Sequence, residues 1–299
     1  MTPTDRADLS VQFMRPAPEL LHLVSGYHIY SAGPVGSPVW EELFFPGWTN
    51  IRLTLADGAW HCGPVGSALA PVPPLSLFGP SSRGLHSRSH GGLMVGIGIT
   101  PMGWHRFFPT PAHALADRIV PLDDHMAGIP AGLLADAQAD PSPPAIKALF
   151  DSWLIASLRP ASRSANHISA LFDWLTATTE VEIAAMQHHL GLTDSQLRRL
   201  SRNHFGFAPK MLLRRARFLK SITRIISEPD KNWSGTIEES YFDYAHFVRD
   251  CQQFLGMAPR QFLALDRPMT RLSLATRTRQ LGAPLQALHR TAPLPDSAN

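Results

Sequence analysis

The sequence predicts an α+β protein, with a β-rich N-terminal region followed by an all-helical C-terminal region. Short apolar runs bounded by Gly and Pro fill the first 125 residues, which is typical of strands joined by turns. After Pro144 the apolar residues recur at helical spacing. Residues 193–213 also match residues 243–263 at an offset of 50 without a gap, so one helical unit is predicted twice.

Residues 1–160 are expected to form one domain, a small antiparallel or barrel-like sheet with flanking helices. Ile51, Leu53 and Leu55 alternate with polar residues, as on a strand with one buried face. Residues 93–99 form a short apolar run between turn signals and predict another strand.

The C-terminal region is predicted to be helical. A first apolar stripe is formed by Ile146, Leu149, Phe150, Trp153 and Leu154. Further helices are predicted at about 180–190, 194–204, 209–227, 244–254 and 259–265. Residues 165–268 are taken as one helical domain. The segment 271–299 is polar, contains Pro and has no apolar period, so it is predicted to be a mostly disordered tail.

Positive charge is concentrated in the helical region. Residues 195–225 contain nine Lys or Arg and no Asp or Glu. Such a run is usually a solvated helical face, but here it lies inside the repeated unit. The position favours a surface that contacts phosphate groups.

Several other classes of protein do not fit the composition. Cys62 and Cys251 are the only cysteines, which excludes a disulfide scaffold and fits a reducing compartment. No run approaches the roughly 20 apolar residues that span a bilayer, and the N-terminus lacks the pattern of a secretion signal, so a cytoplasmic, nucleoid-associated protein without a membrane partner is expected. His86 and His90 lack an apparent third ligand, so no metal or other cofactor is predicted.

Each copy of the repeated unit has the features of a helix-turn-helix. A capping residue begins a short helix, a Gly ends it, and a Pro begins the next helix. These positions are Thr193, Gly206 and Pro209 in the first copy and Asp243, Gly256 and Pro259 in the second. The second helix of such a unit lies in the major groove of DNA and offers its N-terminal residues to base edges.

The residues expected to face DNA follow from the helical spacing. Leu197 and Phe247 point inward, which leaves the polar residues of both helices for the outer face. Glutamine pairs well with adenine and arginine with guanine. The expected contacts are Asp194, Ser195, Gln196, Arg198, Arg199, Arg202, Lys210, Arg214, Tyr244, Ala245, His246, Arg249 and Arg260.

Two kinds of role are distinguished within this set. Lys210, Arg214 and Arg260 are expected to hold the DNA backbone. For Arg199 and Arg249 two interpretations stay open, contact with DNA or internal pairing with acidic groups. His246 is expected to pack or to contact a phosphate rather than to select a base, since phosphate contacts outnumber base contacts in general.

Residues 165–268 resemble the DNA-binding domain of the AraC/XylS family of bacterial transcription regulators. The residues that carry the resemblance are 190–199 (LGLTDSQLRR), 205–210 (FGFAPK), 243–249 (DYAHFVR) and 256–259 (GMAP). Two positions depart from the family pattern, since Gln187 stands where the family usually has Ala and Ser240 where it has Gly.

The resemblance implies a domain of seven helices with two helix-turn-helix units and a function in transcriptional control. It implies double-stranded promoter or operator DNA as the partner, and RNA polymerase, a small-molecule effector and a second copy of the chain as further candidates. Residues 77–81 and 98–104 are similar to the sensor-like N-terminal domain of some members, which implies a barrel- or cupin-like regulatory domain. Of the aromatic residues Trp40, Phe44, Phe45, Trp48 and Trp60, most are expected in the core and one or two beside an effector.

The prediction is therefore a sequence-specific DNA-binding regulator that is not an enzyme. One alternative is an N-terminal enzyme domain that the helices tether to DNA, but no convergent acid, base or nucleophile set is apparent in the sequence. The other is a protein–protein interaction module with a degenerate DNA-binding domain, which the departures at Gln187 and Ser240 favour.

Overall fold

The N-terminal region consists of two antiparallel sheets. The computed structural model describes residues 9–56, 60–177, 182–227, 237, 241 and 243–289. Ten strands lie in the described part of the first 121 residues. They are β1 (Leu9–Met14), β2 (Val24–Ala32), β3 (Trp40–Phe44), β4 (Thr49–Thr54), β5 (Trp60–Pro64), β6 (Ala70–Pro71), β7 (Leu75–Phe78), β8 (Leu85–Ser89), β9 (Leu93–Ile99) and β10 (Ile119–Pro121).

The six strands of the larger sheet run in the order β1-β2-β9-β4-β7-β10, and the smaller sheet has the order β3-β8-β5-β6. Each strand of the larger sheet sends alternate residues to opposite sides, and buried residues lie on both sides. On one face Ile51, Leu53 and Val95 join the core shared with the helices. On the other face Tyr30 and Met94 join a second cluster with residues of the smaller sheet.

The helices between residues 143 and 264 occupy the positions that the sequence predicts, whereas α1, α2 and α10 were not predicted. In chain order they are α1 (Pro101–Phe107), α2 (Leu133–Ala139), α3 (Pro143–Ala156), α4 (Ala165–Ala177), α5 (Ile183–Leu190), α6 (Asp194–Phe205), α7 (Pro209–Ser227), α8 (Tyr244–Leu255), α9 (Pro259–Ala264) and α10 (Pro268–Leu281). The predicted apolar stripe of α3 is buried at Ile146, Phe150, Trp153 and Leu154. A β-rich N-terminal region followed by a helical C-terminal region is thus confirmed. No helix in the described ranges is both long and apolar enough to cross a membrane.

The prediction of a disordered tail from residue 271 is wrong for residues 271–289. Helix α10 packs against β1, and the segment after it returns to the larger sheet. Buried Arg277 donates to the carbonyl oxygens of Ser25 and Ala283, and the side chain of Gln286 donates to those of Thr49 and Ile99. Hydrogen bonds from polar side chains attach this segment to the larger sheet. Its sequence therefore lacks the regular spacing of apolar residues by which a packed helix is predicted. Residues 290–299 lie outside the described residues.

The loop between β3 and β4 joins the sheets to the helices. The indole of Trp48 packs edge-on against Phe205 at the end of α6 and against Phe172 of α4. Phe45 packs against Phe262 of α9, with ring centroids 5.4 Å apart. The guanidinium of Arg215, on α7, lies 3.8 Å from the Trp48 ring centroid. This loop, residues 45–48, therefore contacts both repeated units.

Candidate nucleic-acid interface

The first repeated unit has the local geometry that its residues predict. Helix α5 ends at Gly191, whose φ of +62° is the left-handed conformation that glycine adopts most readily. Helix α6 begins with a capping box. The Thr193 hydroxyl accepts from the backbone N–H of Gln196, and Gln196 Oε1 accepts from the backbone N–H of Thr193 at 2.9 Å.

The two faces of α6 differ sharply in exposure. Leu197, Leu200 and Phe205 are buried in the common core. The predicted contact residues Asp194, Ser195, Gln196, Arg198, Arg199 and Arg202 are all exposed. Arg198 forms an ion pair with Asp194 at 2.7 Å, and because both side chains are more than half exposed the pair contributes little stability.

The side chain of Gln196 has a role that the sequence interpretation did not assign. Its Oε1 accepts from both the N–H and the hydroxyl of Thr193. The carbonyl of the amide is therefore engaged in capping α6. To use its carbonyl oxygen in a pair with adenine, the Gln196 side chain has to leave the cap. While it stays in the cap, only the hydrogens of its Nε2 are available to a base. Gln187, where the family usually has Ala, is half-buried on α5.

The second unit repeats this geometry in α8. Asp243 Oδ1 accepts from the backbone N–H of His246 at 2.7 Å, and Gly256 ends the helix with a φ of +73°. The predicted contact residues Tyr244, Ala245, His246 and Arg249 are exposed, as is Arg260 on α9. Residues 236–240, which include Ser240, lie outside the described residues except for Ile237, which is buried.

A buried carboxylate ties α8 to α7. Asp250 is 2% exposed. Its Oδ1 accepts from Arg214 at 2.6 Å, and its Oδ2 accepts from Arg217 at 3.1 Å and from the Tyr241 hydroxyl at 3.0 Å. Burial, followed by the charge of Asp250, raises the pKa of Tyr241, so its hydroxyl stays protonated as a donor.

This cluster gives Arg214 a structural role in addition to the predicted contact with the DNA backbone. Arg214 was expected to be a backbone clamp, but its guanidinium donates through two nitrogens to Asp250. Asp250 was not among the residues predicted from the sequence. A signal was present, because this acid lies on the apolar face of α8, three residues after Phe247 and directly before Cys251. A carboxylate at such a position requires buried partners.

The helices α7 and α8 enclose a concavity of about 410 Å³ with mostly basic walls. We call it the basic cleft. Its lining residues are Lys210, Leu213, Arg214, Arg217, His246, Arg249 and Asp250. Lys210 and Arg249 are exposed there, and within the described ranges neither forms an ion pair. Asp250 is shielded by its two arginines, so the cleft has a net positive charge.

Arg199 and Arg249 differ from Arg214 and Arg217 in having no internal acidic partner among the described residues. Both side chains are exposed, and neither pairs with a carboxylate in the part of the chain that the structure describes. Internal pairing belongs instead to Arg214 and Arg217. Both Arg199 and Arg249 are free to meet a phosphate or a base.

Residues 186–264 match a family model described as a helix-turn-helix domain. The match spans α5 to α9, including both capped helices. This segment is an AraC-type helix-turn-helix domain. A domain of this type supports a DNA-binding transcription regulator.

The remaining comparisons concern whole chains. No curated protein sequence matches this one. The solved structures similar to it include ToxT from Vibrio cholerae, with 11% identity and a TM-score of 0.43 over 79% of this chain and 97% of that one. ToxT from Vibrio cholerae O395 has 10% identity and a TM-score of 0.44, over 86% and 97% of the two chains. ToxT from strain SCE256 with a bound unsaturated fatty acid has the same identity and TM-score, over 86% and 95%.

Proposed function

We propose that this transcription regulator binds double-stranded DNA through α6 and α8, which enter two adjacent segments of the major groove. The observation that carries the proposal is the pairing of two capped helices with exposed polar outer faces, both packed on α7. Helix α7 is 19 residues long, so it can hold the two units at a fixed separation. Adjacent major-groove segments on one face of DNA lie roughly 34 Å apart.

The roles within the interface follow from exposure and pairing. Ser195, Arg198 and Arg202 on α6, with Tyr244, Ala245 and Arg249 on α8, are the proposed contacts in the grooves. Lys210 and Arg260, which lie at the starts of α7 and α9, are the proposed phosphate contacts. Helix N-termini favour phosphate as well, because their free N–H groups carry partial positive charge. Arg214 is proposed to hold α8 in place and to reach DNA only through its exposed part.

We predict that two substitutions of Gln196 separate capping from base recognition. Gln196→Glu preserves an acceptor for Thr193 and therefore preserves the capping box, whereas Gln196→Ala removes it at a cost of about 1 kcal/mol. Both variants lose the amide that pairs with adenine. If Gln196 recognises a base, both change the selected DNA sequence. An altered sequence preference in Gln196→Ala alone would show that the residue acts only through the cap.

We predict that Lys210→Ala weakens binding to all duplexes alike, without a change in sequence preference. The ammonium is exposed in the basic cleft and forms no described ion pair, so its loss removes one phosphate contact. The slope of log Kobs against log salt falls by about 0.9. Gel-shift titrations between low and high salt measure it. Arg88→Ala is the control, because Arg88 lies on β8 and pairs with Glu41. Equal slopes for the Lys210 variant and the parent protein would contradict the assignment.

A single binding measurement addresses the protein–protein alternative. The full chain is titrated with mixed genomic duplex at low salt, where non-specific binding is strongest. Detectable binding supports the proposed function. A complete lack of binding would favour a helical module that has lost its affinity for DNA.

A further inference from the structure

The outer faces of α6 and α8 differ in chemistry, although the two helices occupy equivalent places in the repeat. The offset of 50 residues pairs each outer position of α6 with one of α8, namely Asp194 with Tyr244, Ser195 with Ala245, Arg198 with Val248, Arg199 with Arg249 and Arg202 with Gln252. In α6 these positions are charged or carry a hydroxyl, whereas three of those in α8 are aromatic or apolar. The two helices therefore present different chemical groups to a shared partner.

The apolar residues of α8 lie together near the start of the helix. Tyr244 and Ala245 stand four and three positions before Val248, and these are the spacings at which side chains on a helix are neighbours. We call these three residues the apolar tip. Tyr244 and Ala245 are exposed, and Val248 is half-buried. Tyr244 is 46% exposed, and no Phe, Trp or other Tyr in the described ranges is as exposed. A tyrosine ring that is left in water in this way is typical of a contact surface.

Positive groups border the apolar tip on the side of the basic cleft. Arg249 directly follows Val248, is exposed, and lines that cleft together with Lys210 of α7. His246 lies beside the capping residue, with its Nδ1 3.1 Å from Asp243 Oδ1. An apolar surface with cations next to it fits the major groove of DNA, where the base edges lie between two rows of phosphates. It fits a purely apolar partner poorly, because the cations would lose water without gaining a counterion.

The major groove displays one apolar group, the C5-methyl of thymine. Guanine presents two acceptors there, adenine an acceptor and a donor, and cytosine a donor. An apolar side chain therefore distinguishes thymine by contact with its methyl group, and alanine and aromatic rings are suited to this contact. Arginine instead pairs with the two acceptors of guanine. The outer face of α6 has three arginines and that of α8 has one, so the two helices suit different bases.

We propose that α8 recognises thymine methyl groups through the apolar tip, whereas α6 recognises the hydrogen-bonding groups of the bases. This inference rests on the proposed function and names what each of its two helices recognises. The DNA segment beneath α8 contains thymine in contact with Tyr244 or Ala245, and the segment beneath α6 contains guanine opposite its arginines. The protein binds such a site in one orientation, because the reverse orientation places the methyl groups opposite the arginines.

The methyl contact is tested on the natural protein by replacing thymine with uracil, which keeps the base pair and its hydrogen-bonding groups and lacks only the methyl group. The duplex is selected from a random pool, and its α8 segment is the one whose protection from nuclease weakens in Arg249→Ala. Uracil in that segment is expected to raise the Kd about fourfold for each contacted methyl group, as the burial of one such group predicts. Uracil in the α6 segment of the same duplex is the control, and we expect it to change the Kd by less than about twofold.

Two substitutions assign the methyl contact to side chains. At least one of Tyr244→Ala and Ala245→Ser is expected to make the Kd values for the thymine and uracil duplexes equal, because a contact that is already absent cannot be lost again. Ala245→Ser gives α8 the residue that α6 has at the equivalent position, Ser195. Both substituted side chains are exposed, so we expect both variants to fold. Neither change removes a charge, so the slope of log Kobs against log salt is expected to stay that of the parent protein.

The outcomes separate this inference from the proposed function. Two protected segments with equal Kd values for the thymine and uracil duplexes would overturn the recognition of methyl groups and leave the proposed function intact. A selected α8 segment without thymine would do the same. An undiminished effect of uracil in both variants would overturn the role of the apolar tip. If no duplex is protected, the proposed function itself is contradicted, and the recognition of methyl groups with it.

Discussion

Asp250→Ala is expected to lower the free energy of unfolding of the helical region by about 3–5 kcal/mol. The carboxylate is buried and accepts from three side chains. Its removal leaves the guanidinium groups of Arg214 and Arg217 and the Tyr241 hydroxyl without their acceptor. Breaking a buried pair costs more than the pair contributed, because a charge is left in a poorly solvated place.

The same substitution is expected to abolish tight DNA binding. Asp250 holds α8 against α7, and without this tie the second unit loses its fixed position relative to the first. Urea denaturation measures the stability and gel shifts measure the binding. Asp266→Ala is the matched control, because it also removes a carboxylate from an Arg, but both Asp266 and Arg271 are more than half exposed. We expect about 0–1 kcal/mol there. Similar losses in the two variants would contradict the account of Asp250.

Arg215→Met is expected to weaken the contact between the sheets and the helices by about 2–4 kcal/mol. The side chain is fully buried, stacks on Trp48 and donates to the carbonyl oxygens of Gly47 and Ser81. Burial lowers its pKa to about 9, so the group is a cation at neutral pH. Methionine fills a similar volume, but it leaves the Ser81 carbonyl oxygen without its described donor, at about 1–3 kcal/mol. It also removes one donor from the Gly47 carbonyl, which still accepts from the backbone N–H of Ser81 at 3.1 Å.

Without the Arg215 contact, the β-rich N-terminal region and the helical C-terminal region are expected to unfold at different denaturant concentrations. The parent protein is expected to unfold in one transition, because a continuous buried cluster runs from the larger sheet to α8. In the Arg215 variant the helical region is expected to unfold first. Tryptophan fluorescence follows the loss of tertiary packing, and far-ultraviolet circular dichroism follows the loss of helix. Arg202→Met, on the exposed face of α6, is expected to change stability by less than about 0.5 kcal/mol. Coincident transitions with unchanged midpoints in Arg215→Met would refute the role of this side chain.

Much of the helical region was predictable because local chemistry determines it. Thr193 and Asp243 cap their helices and Gly191 has a positive φ, as the residue types alone indicate. Pro209 and Pro259 begin the helices that follow each unit. Residues four or fewer positions apart decide each of these features, so one sequence is sufficient to find them.

The features that escaped prediction depend on distant partners. Arg215 lies in a run of basic residues that suggests an exposed surface, but its acceptors are more than 130 positions away in the chain. Helix α10 is held by β1 and by the carbonyl oxygens around Arg277. The cation at Arg52 lies within an apolar strand pattern, and no local rule indicates what lies opposite. These contacts exist only once the sheets and helices are packed together.

The candidate interface was predicted at the level of surfaces rather than of single roles. Arg198, Arg202 and Arg249 are exposed on their helices as the periodicity requires. The periodicity could not indicate that Arg214 pairs with Asp250. It shows which face of each helix is apolar, but not how α7 and α8 are placed relative to each other. The role of Gln196 could not be predicted from the sequence either, because its position suits both the capping box and a contact in the major groove.

The central claim is that two helices of one chain bind one DNA duplex together. The most direct test is nuclease footprinting on a duplex selected from a random pool with the full chain. We expect two protected segments whose centres lie about 10 base pairs apart on one face of the DNA. Arg202→Ala is expected to weaken one segment and Arg249→Ala the other. A single protected segment that responds to both substitutions, or no protection of any duplex, would contradict the claim.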